Sequence, residues 1–148
     1  MSFILRVLCW VCIASSAVAQ SELVAEDQTP SGKFLTATEV KPILSATKPN
    51  WIGVREWDGK DLVYVTHLWA WRCGLLQMQI AINDGVAQIW PMPACHFDLA
   101  QPASILDTDG LPFAEFPLQS VQSVSVKLIY DDLSEETARF ERSDVKIP

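Results

Sequence analysis

Four residues near the middle of the chain carry side chains that commonly bind metal ions or form covalent bonds. They are His67, Cys73, Cys95 and His96. Imidazole and thiolate groups are frequent zinc ligands, but the spacing of these four residues matches no standard zinc motif. Cys9 and Cys12 lie in the predicted export leader, which leaves two of the four cysteines in the mature chain. Two cysteines in an exported chain are more often joined in a disulfide than shared with a metal. We therefore expect a Cys73–Cys95 disulfide and neither a metal nor another cofactor.

Two other metal arrangements receive less support from the sequence. A copper site would need the histidines together with Met78 or Met92, and nothing in the sequence places these residues together. Asp107-x-Asp109-Gly110 resembles part of a calcium-binding loop. The further acidic positions of such a loop hold Ile105 and Phe116, so we interpret the segment as a polar turn.

Residues for acid, base or nucleophilic catalysis form no recognisable motif. The chain has no G-x-S-x-G sequence, and we expect Cys73 to be oxidised rather than reactive. Glu56 and Asp61 could lie close enough to act as the carboxylate pair of a glycoside hydrolase, but they flank a predicted hairpin turn at the surface. We expect a non-catalytic protein and keep a small periplasmic hydrolase that uses surface carboxylates as the alternative.

The tryptophans are the most unusual feature of the composition. Five of the six lie between positions 51 and 95. Large rings can fill the core of a small domain, since tryptophan is usually buried but seldom completely. They can also form an exposed surface on which a sugar or a peptide stacks. The core interpretation is favoured for most of the rings, and the candidate binding surface comprises Trp51, Trp57, Tyr64 and Trp90.

One amphipathic helix is predicted ahead of the strands. Thr36-Ala-Thr-Glu39 matches a capping box, in which the threonine hydroxyl and the glutamate carboxylate each bind a free backbone amide. Val40, Ile43 and Leu44 follow at helical spacing, and Lys48-Pro49-Asn50 ends the pattern. Pro42 should bend or shorten this helix unless it lies near the first turn.

The first predicted hairpin turns at Asp58-Gly59, which is a strong two-residue turn signal. This turn sets Val54 opposite Val63 and Gly53 opposite Tyr64. The predicted pairing therefore fixes which side chains share a face of the sheet.

The same register has one unfavourable feature and one extension. It places Glu56 opposite Asp61, a repulsive pair that a bulge at Lys60 would relieve. Alternation along the second strand continues beyond the hairpin, so the strand is expected to include His67, Trp69 and Trp71.

Two further hairpins complete the predicted sheet. A turn at Asn83-Asp84-Gly85 brings Cys73 level with Cys95 or its neighbour, close enough to bond. A third hairpin joins the alternating residues 124–130 to a charged edge strand at 137–142, and a short strand is expected at 113–116. We expect an α+β fold with one N-terminal helix packed on a mostly antiparallel sheet of about six strands.

The first residues have the pattern of a secretory signal peptide. Arg6 precedes an apolar run at 7–13, and Ala17-Val18-Ala19 provides a cleavage site. The apolar run is too short to span a membrane. We expect residues 1–19 to be removed on export to the periplasm or the medium, residues 20–33 to be a flexible lead-in, and residues 34–148 to form a single domain.

The charge of the chain excludes some partners. Loss of the leader, which carries Arg6 and no acidic residue, changes the formal charge from −7 to −8. An acidic chain without a basic cluster argues against binding to nucleic acid or to anionic lipid. We expect a monomeric binding or accessory module of the cell envelope or extracellular space that acts on an unidentified protein or glycan.

The layout of a helix followed by antiparallel strands resembles that of cystatin-type inhibitors. Gln119-Ser-Val-Gln-Ser123 is similar to the Q-x-V-x-G loop of those inhibitors, with serine in place of the final glycine. The resemblance implies an inhibitor as a further alternative function. It covers layout alone, and layout does not carry an activity.

Overall fold

The computed structural model describes residues 22–148, so the predicted signal peptide lies outside the described residues. Within them, three helices and eight strands form the predicted α+β fold. The helices are α1 (Ala37–Ala46), α2 (Thr66–Ala70) and α3 (Arg142–Val145). The strands are β1 (Gly53–Trp57), β2 (Lys60–Tyr64), β3 (Leu75–Ile82), β4 (Gln88–Trp90), β5 (Phe113–Pro117), β6 (Ser123–Tyr130), β7 (Glu135–Glu141) and β8 (Lys146–Ile147).

The strands form two four-stranded sheets rather than the one sheet of about six strands that we expected. The first sheet has the order β5-β2-β1-β8 and the second has the order β4-β3-β6-β7. Neighbouring strands are antiparallel except β1 and β8, which are parallel. Strand β8 has only two residues, too few to show alternation in a sequence. Among residues 22–148, none of the helices has the length and apolar character needed to cross a membrane.

The first hairpin has the predicted register. Asp58 and Gly59 both adopt positive φ values, 49° and 72°, as this type of two-residue turn requires. Glu56 lies opposite Asp61, and the pairing between β1 and β2 contains no bulge. The expected repulsion between these two carboxylates must therefore be relieved by another residue.

The prediction that the second strand continues through His67, Trp69 and Trp71 was wrong. Strand β2 ends at Tyr64, and α2 follows it, so His67, Trp69 and Trp71 do not lie along a strand. Leu68 and Trp69 are adjacent in sequence and both buried. A helix can bury adjacent residues, whereas a strand directs them to opposite faces. Along a strand, Leu68 would lie on the opposite face from His67 and Trp69, so its complete burial beside the buried Trp69 fits the helix and not the strand.

One hydrophobic cluster joins α1 to both sheets. Helix α1 begins at the predicted capping box and buries one face. Strand β6 contributes alternate residues, as its pattern predicts. Each large apolar side chain buried in this way contributes roughly 1.5–3 kcal/mol. The contributing residues of the two elements are Ala37, Val40, Leu44, Val124, Val126, Leu128 and Tyr130.

Helix α1 lies directly against the turn that follows α2. A Cβ atom added to Gly74 would lie 2.8 Å from the carbonyl oxygen of Thr36 and would also overlap Val40. Any larger residue at this position would push the helix away from the sheet.

Residues 22–33 form no helix or strand, but hydrogen bonds attach part of this segment to the domain. The Glu26 amide donates to the Asp131 carbonyl at 2.7 Å, and the Gln28 side chain donates to the Asp131 carboxylate at 2.8 Å. The same carboxylate accepts a hydrogen bond from the Ala37 amide at 2.7 Å. Asp131 therefore joins the lead-in to the first turn of α1.

Candidate ligand-binding site

The aromatic residues of the predicted binding surface do not form one surface. Trp51 is completely buried, and its indole N–H donates to the Leu44 carbonyl at 2.9 Å. Trp90 is partly buried against the core. Trp57 is 58% exposed, and the Arg55 guanidinium lies 4.6 Å from its ring centroid. The core interpretation therefore holds for Trp51, and the exposed ring of Trp57 stands apart from it.

Two surface cavities border helix α2, and Ala70 lines both of them. The first, which we call the His67 cavity, has a volume of about 610 Å³. Its walls include Asn50, Tyr64, Thr66, His67, Asp144 and Lys146. The second, which we call the Trp71 cavity, has a volume of about 570 Å³ and is lined by residues 32–34, 70–71 and 100–105. Both volumes lie in the range that is typical of small-ligand sites.

Phe34 forms one wall of the Trp71 cavity. Its ring meets the Trp71 ring edge to face, with the centroids 5.2 Å apart. The Phe34 backbone has a φ of 59°, a conformation that is unusual for a bulky side chain and that neighbouring contacts must hold in place. Phe34 is also 43% exposed, so its ring is accessible at the cavity.

The carboxylate of Glu39 holds the turn that carries Phe34. It accepts hydrogen bonds from the amides of Gly32 at 2.6 Å, Leu35 at 2.9 Å, Ser31 at 3.1 Å and Thr36 at 3.3 Å. Desolvation opposes the charge of this group, but the amide of Leu35 and the other donors lower the pKa of Glu39 to about 2. The predicted capping box is present, and its glutamate binds more of the chain than a capping box requires.

Arg72 holds the opposite wall of the Trp71 cavity. Its side chain is almost fully buried and donates to backbone carbonyls on three segments. Nη1 lies 2.7 Å from the Ala103 oxygen, and Nη2 lies 3.1 Å from the Ser104 oxygen, so both bonds fix residues that line the cavity. The remaining acceptors are the carbonyls of Trp69, Pro93 and Ala94.

Asp109 and the disulfide fix the rest of this loop. The Asp109 carboxylate lies 2.9 Å from His96 Nε2 and 3.6 Å from Arg72 Nη2. Two hydrogen bonds lower the pKa of Asp109. The larger effect comes from His96 and the smaller from the Leu106 amide. The predicted Cys73–Cys95 disulfide is confirmed, with the two Cα atoms 5.8 Å apart. The predicted polar turn at 107–110 is thus an internal anchor of the loop.

The remaining potential metal ligands have other partners. The two cysteines are bonded to each other, and His67 Nε2 lies 2.7 Å from the Thr47 hydroxyl. In the part of the chain that the structure describes, no three histidine, cysteine or acidic side chains are grouped in a way that could hold a metal ion.

The carboxylates considered for hydrolysis, Glu56 and Asp61, belong to an ion-pair cluster. Arg142 lies 2.6 Å from a Glu56 oxygen and 2.7 Å from an Asp61 oxygen. The Arg142 guanidinium lowers the pKa of Asp61 to about 2 and also lowers the pKa of Glu56. A general acid needs a raised pKa, so this arrangement favours a structural role over acid–base catalysis.

The segment that resembles the inhibitor loop is anchored at Val121. This side chain is completely buried, and the Val121 amide donates to Asp61 Oδ2 at 3.0 Å. Its carbonyl accepts a hydrogen bond from Arg142 Nη1 at 2.6 Å. The middle of the segment is therefore fixed to the ion-pair cluster.

The sequence interpretation did not include Phe34, Arg72 or residues 100–105 in a site. Two signals were present. Arg72 interrupts an apolar run, and a buried guanidinium must find several acceptors. The irregular connection after His96 is long for a small domain, which is typical of functional loops. The assignment of the site rests on the geometry of these residues, since no family model, curated protein or solved structure matches the chain.

Proposed function

We propose that this protein is an exported, non-catalytic binding module that holds an apolar side chain of a protein partner in the Trp71 cavity. One observation carries the proposal: charged side chains that do not line the cavity hold both of its walls. Glu39 fixes the turn that carries Phe34, and Arg72 fixes the loop opposite. A site whose walls are fixed before binding loses less conformational entropy when a ligand enters.

The residues that line the Trp71 cavity favour an apolar group over a sugar. Phe34, Trp71, Pro102 and Ile105 provide apolar surface, with small alanines between them, and Lys33 and Gln101 are the long polar side chains of the lining. Arg72 occupies the carbonyl oxygens of Ala103 and Ser104, so these acceptors are directed away from a ligand. Apolar pockets with few polar groups commonly receive the anchor side chain of a binding partner.

Export is part of the proposal and has its own support. The leader pattern at 1–19 predicts secretion, and the disulfide joins the only two cysteines outside that leader. Intact mass spectrometry of protein recovered from outside the cytoplasm tests this part. The proposal predicts a chain that starts at Gln20 and is two hydrogens lighter than the reduced mass. A chain that retains Met1, or one with two free thiols, would contradict it.

Nuclear magnetic resonance of the isotope-labelled mature protein tests the binding site. N-acetyltryptophanamide and N-acetylleucinamide serve as probes of an apolar side chain, and N-acetylglycinamide is the matched control that lacks one. The proposal predicts that the two apolar probes shift the amide signals of residues 100, 101 and 103–105 and the indole signal of Trp71, while the control does not. No such shift at about 20 mM probe, where a Kd of a few millimolar would still be detected, would contradict the proposal.

A further inference from the structure

His67 has a protonation state that its neighbours determine. The Thr47 hydroxyl oxygen lies 2.7 Å from the Ile43 carbonyl oxygen, and the Thr47 proton must lie between these two oxygens. Nε2 of His67 lies 2.7 Å from the same hydroxyl, so Nε2 must carry a hydrogen and donate it. Desolvation lowers the pKa of His67, which keeps the ring neutral at neutral pH. The other ring nitrogen, Nδ1, therefore presents a lone pair.

Nδ1 is available to a ligand. None of residues 22–148 forms a hydrogen bond with this atom, and it is not among their buried polar atoms that lack a partner. Nδ1 is consequently not sealed from solvent, and His67 is one of the residues that line a cavity of about 610 Å³. A fixed acceptor in a cavity of this size can orient a ligand that donates a hydrogen bond.

The other walls of the His67 cavity indicate the class of ligand. Tyr64 supplies an aromatic ring, which Phe113 supports at a centroid distance of 5.0 Å. Asn50 and Thr66 add side chains that both donate and accept hydrogen bonds. The charged lining residues are Asp144 and Lys146, which have opposite signs. Ile52, Val145 and Ile147 add apolar surface to the same walls. Apolar surface, an aromatic ring, hydrogen-bonding groups and balanced charge together suit a neutral ligand that has both an apolar face and hydroxyl groups.

We infer that the His67 cavity is a second binding site, for a neutral sugar ring that donates a hydroxyl hydrogen to His67 Nδ1. Apart from Ala70, this site shares no lining residue with the Trp71 cavity, and it does not depend on the function proposed for that cavity. The ring of Tyr64 lies against an apolar face of the sugar, and Asn50 and Thr66 bind its remaining hydroxyls.

Titration of the labelled mature protein with soluble trisaccharides of glucose and of N-acetylglucosamine tests the inference. The inference predicts that at least one of them shifts the signals of Tyr64, Thr66 and His67, while N-acetyltryptophanamide leaves them unchanged. If neither sugar shifts these signals at about 20 mM, the inference is wrong.

Two substitutions at one position separate binding from folding. In His67→Gln the side-chain amide can still donate to Thr47, but the acceptor at the Nδ1 position is absent. In His67→Asn an acceptor remains near that position. The inference predicts that His67→Gln weakens sugar binding by about fivefold, as expected for one lost neutral hydrogen bond, and that His67→Asn keeps more of the affinity. Equal affinities of His67→Gln and the unmodified protein would overturn the inference.

Discussion

Arg142 and Asp61 form a two-pronged ion pair that joins the C-terminal helix α3 to strand β2. Nη1 lies 2.7 Å from Oδ2 and Nη2 lies 2.9 Å from Oδ1. The same guanidinium binds Glu56 at 2.6 Å, and the Lys146 ammonium lies 3.1 Å from the same Glu56 oxygen, so two cations together balance the like-charged cross-strand pair. Asp61 is completely buried, and its charge depends on this arginine.

Removal of Arg142 should be strongly destabilising. Arg142→Met leaves a buried carboxylate without its cation, and we expect the free energy of unfolding to fall by about 3–5 kcal/mol. Arg139→Met is the matched control, because Arg139 also binds two carboxylates but at the surface, where the loss should be at most about 1 kcal/mol. Urea denaturation at neutral pH measures both. Equal losses in the two variants would refute the role given to Arg142.

The ion pair also sets the response of stability to acid. Folding lowers the pKa of Asp61 from 3.8 to about 2. A lowered pKa in the folded state means that the stabilisation is complete above about pH 4 and is lost as the pH falls through about 2. Denaturation curves recorded between about pH 4 and pH 2 measure this effect. The free energy of unfolding should fall less over this range in Arg142→Met than in the unmodified protein. An unchanged slope in the variant would show that Asp61 is not the group responsible.

The first hairpin shows how far local sequence determines this fold. Asp58-Gly59 specifies the turn, and the turn specifies the register, so both could be predicted. The way in which the Glu56–Asp61 repulsion is relieved could not be predicted from the local sequence, because Arg142 lies more than eighty residues later in the chain. A bulge was the only local remedy, and the structure instead uses two cations that are distant in sequence, Arg142 and Lys146.

The candidate site was less predictable than the fold for the same reason. The disulfide followed from the cysteine count and the second turn. The walls of the Trp71 cavity depend on contacts between the lead-in, the end of α2 and the loop at 100–105. Such contacts leave no periodic pattern in the sequence. Trp51 and Trp57 have the same side chain, and only the tertiary fold decides that one is buried and the other exposed.

The turn that carries Phe34 should depend more on Glu39 than on Thr36. Thr36→Ala should cost about 1 kcal/mol, the usual value for a helix cap, whereas Lys33→Ala should cost almost nothing. Glu39→Gln should cost about 2 kcal/mol, because several amides lose a charged acceptor. Thermal denaturation ranks the three variants. A smaller loss for Glu39→Gln than for Thr36→Ala would remove Glu39 from this role.

The disulfide should stabilise the loop on which the site depends. Replacement of both Cys73 and Cys95 with serine should lower the free energy of unfolding by about 2–4 kcal/mol. The mature protein should show no free thiol in denaturant until a reductant is added. Thiol titration and denaturation of the double variant measure these outcomes. Two thiols that react without reductant would contradict the bond.

Filling the Trp71 cavity tests the central claim most directly. Ala100 is exposed and lines the cavity, so Ala100→Phe should block it without disturbing the core. Ala46→Phe is the matched control at an exposed position that does not line this cavity. The measurement is the Kd of N-acetyltryptophanamide for each variant by nuclear magnetic resonance titration. We predict that Ala100→Phe weakens binding by about tenfold or more and that Ala46→Phe leaves it unchanged. Equal affinity in the two variants would contradict the assignment of the Trp71 cavity as the binding site.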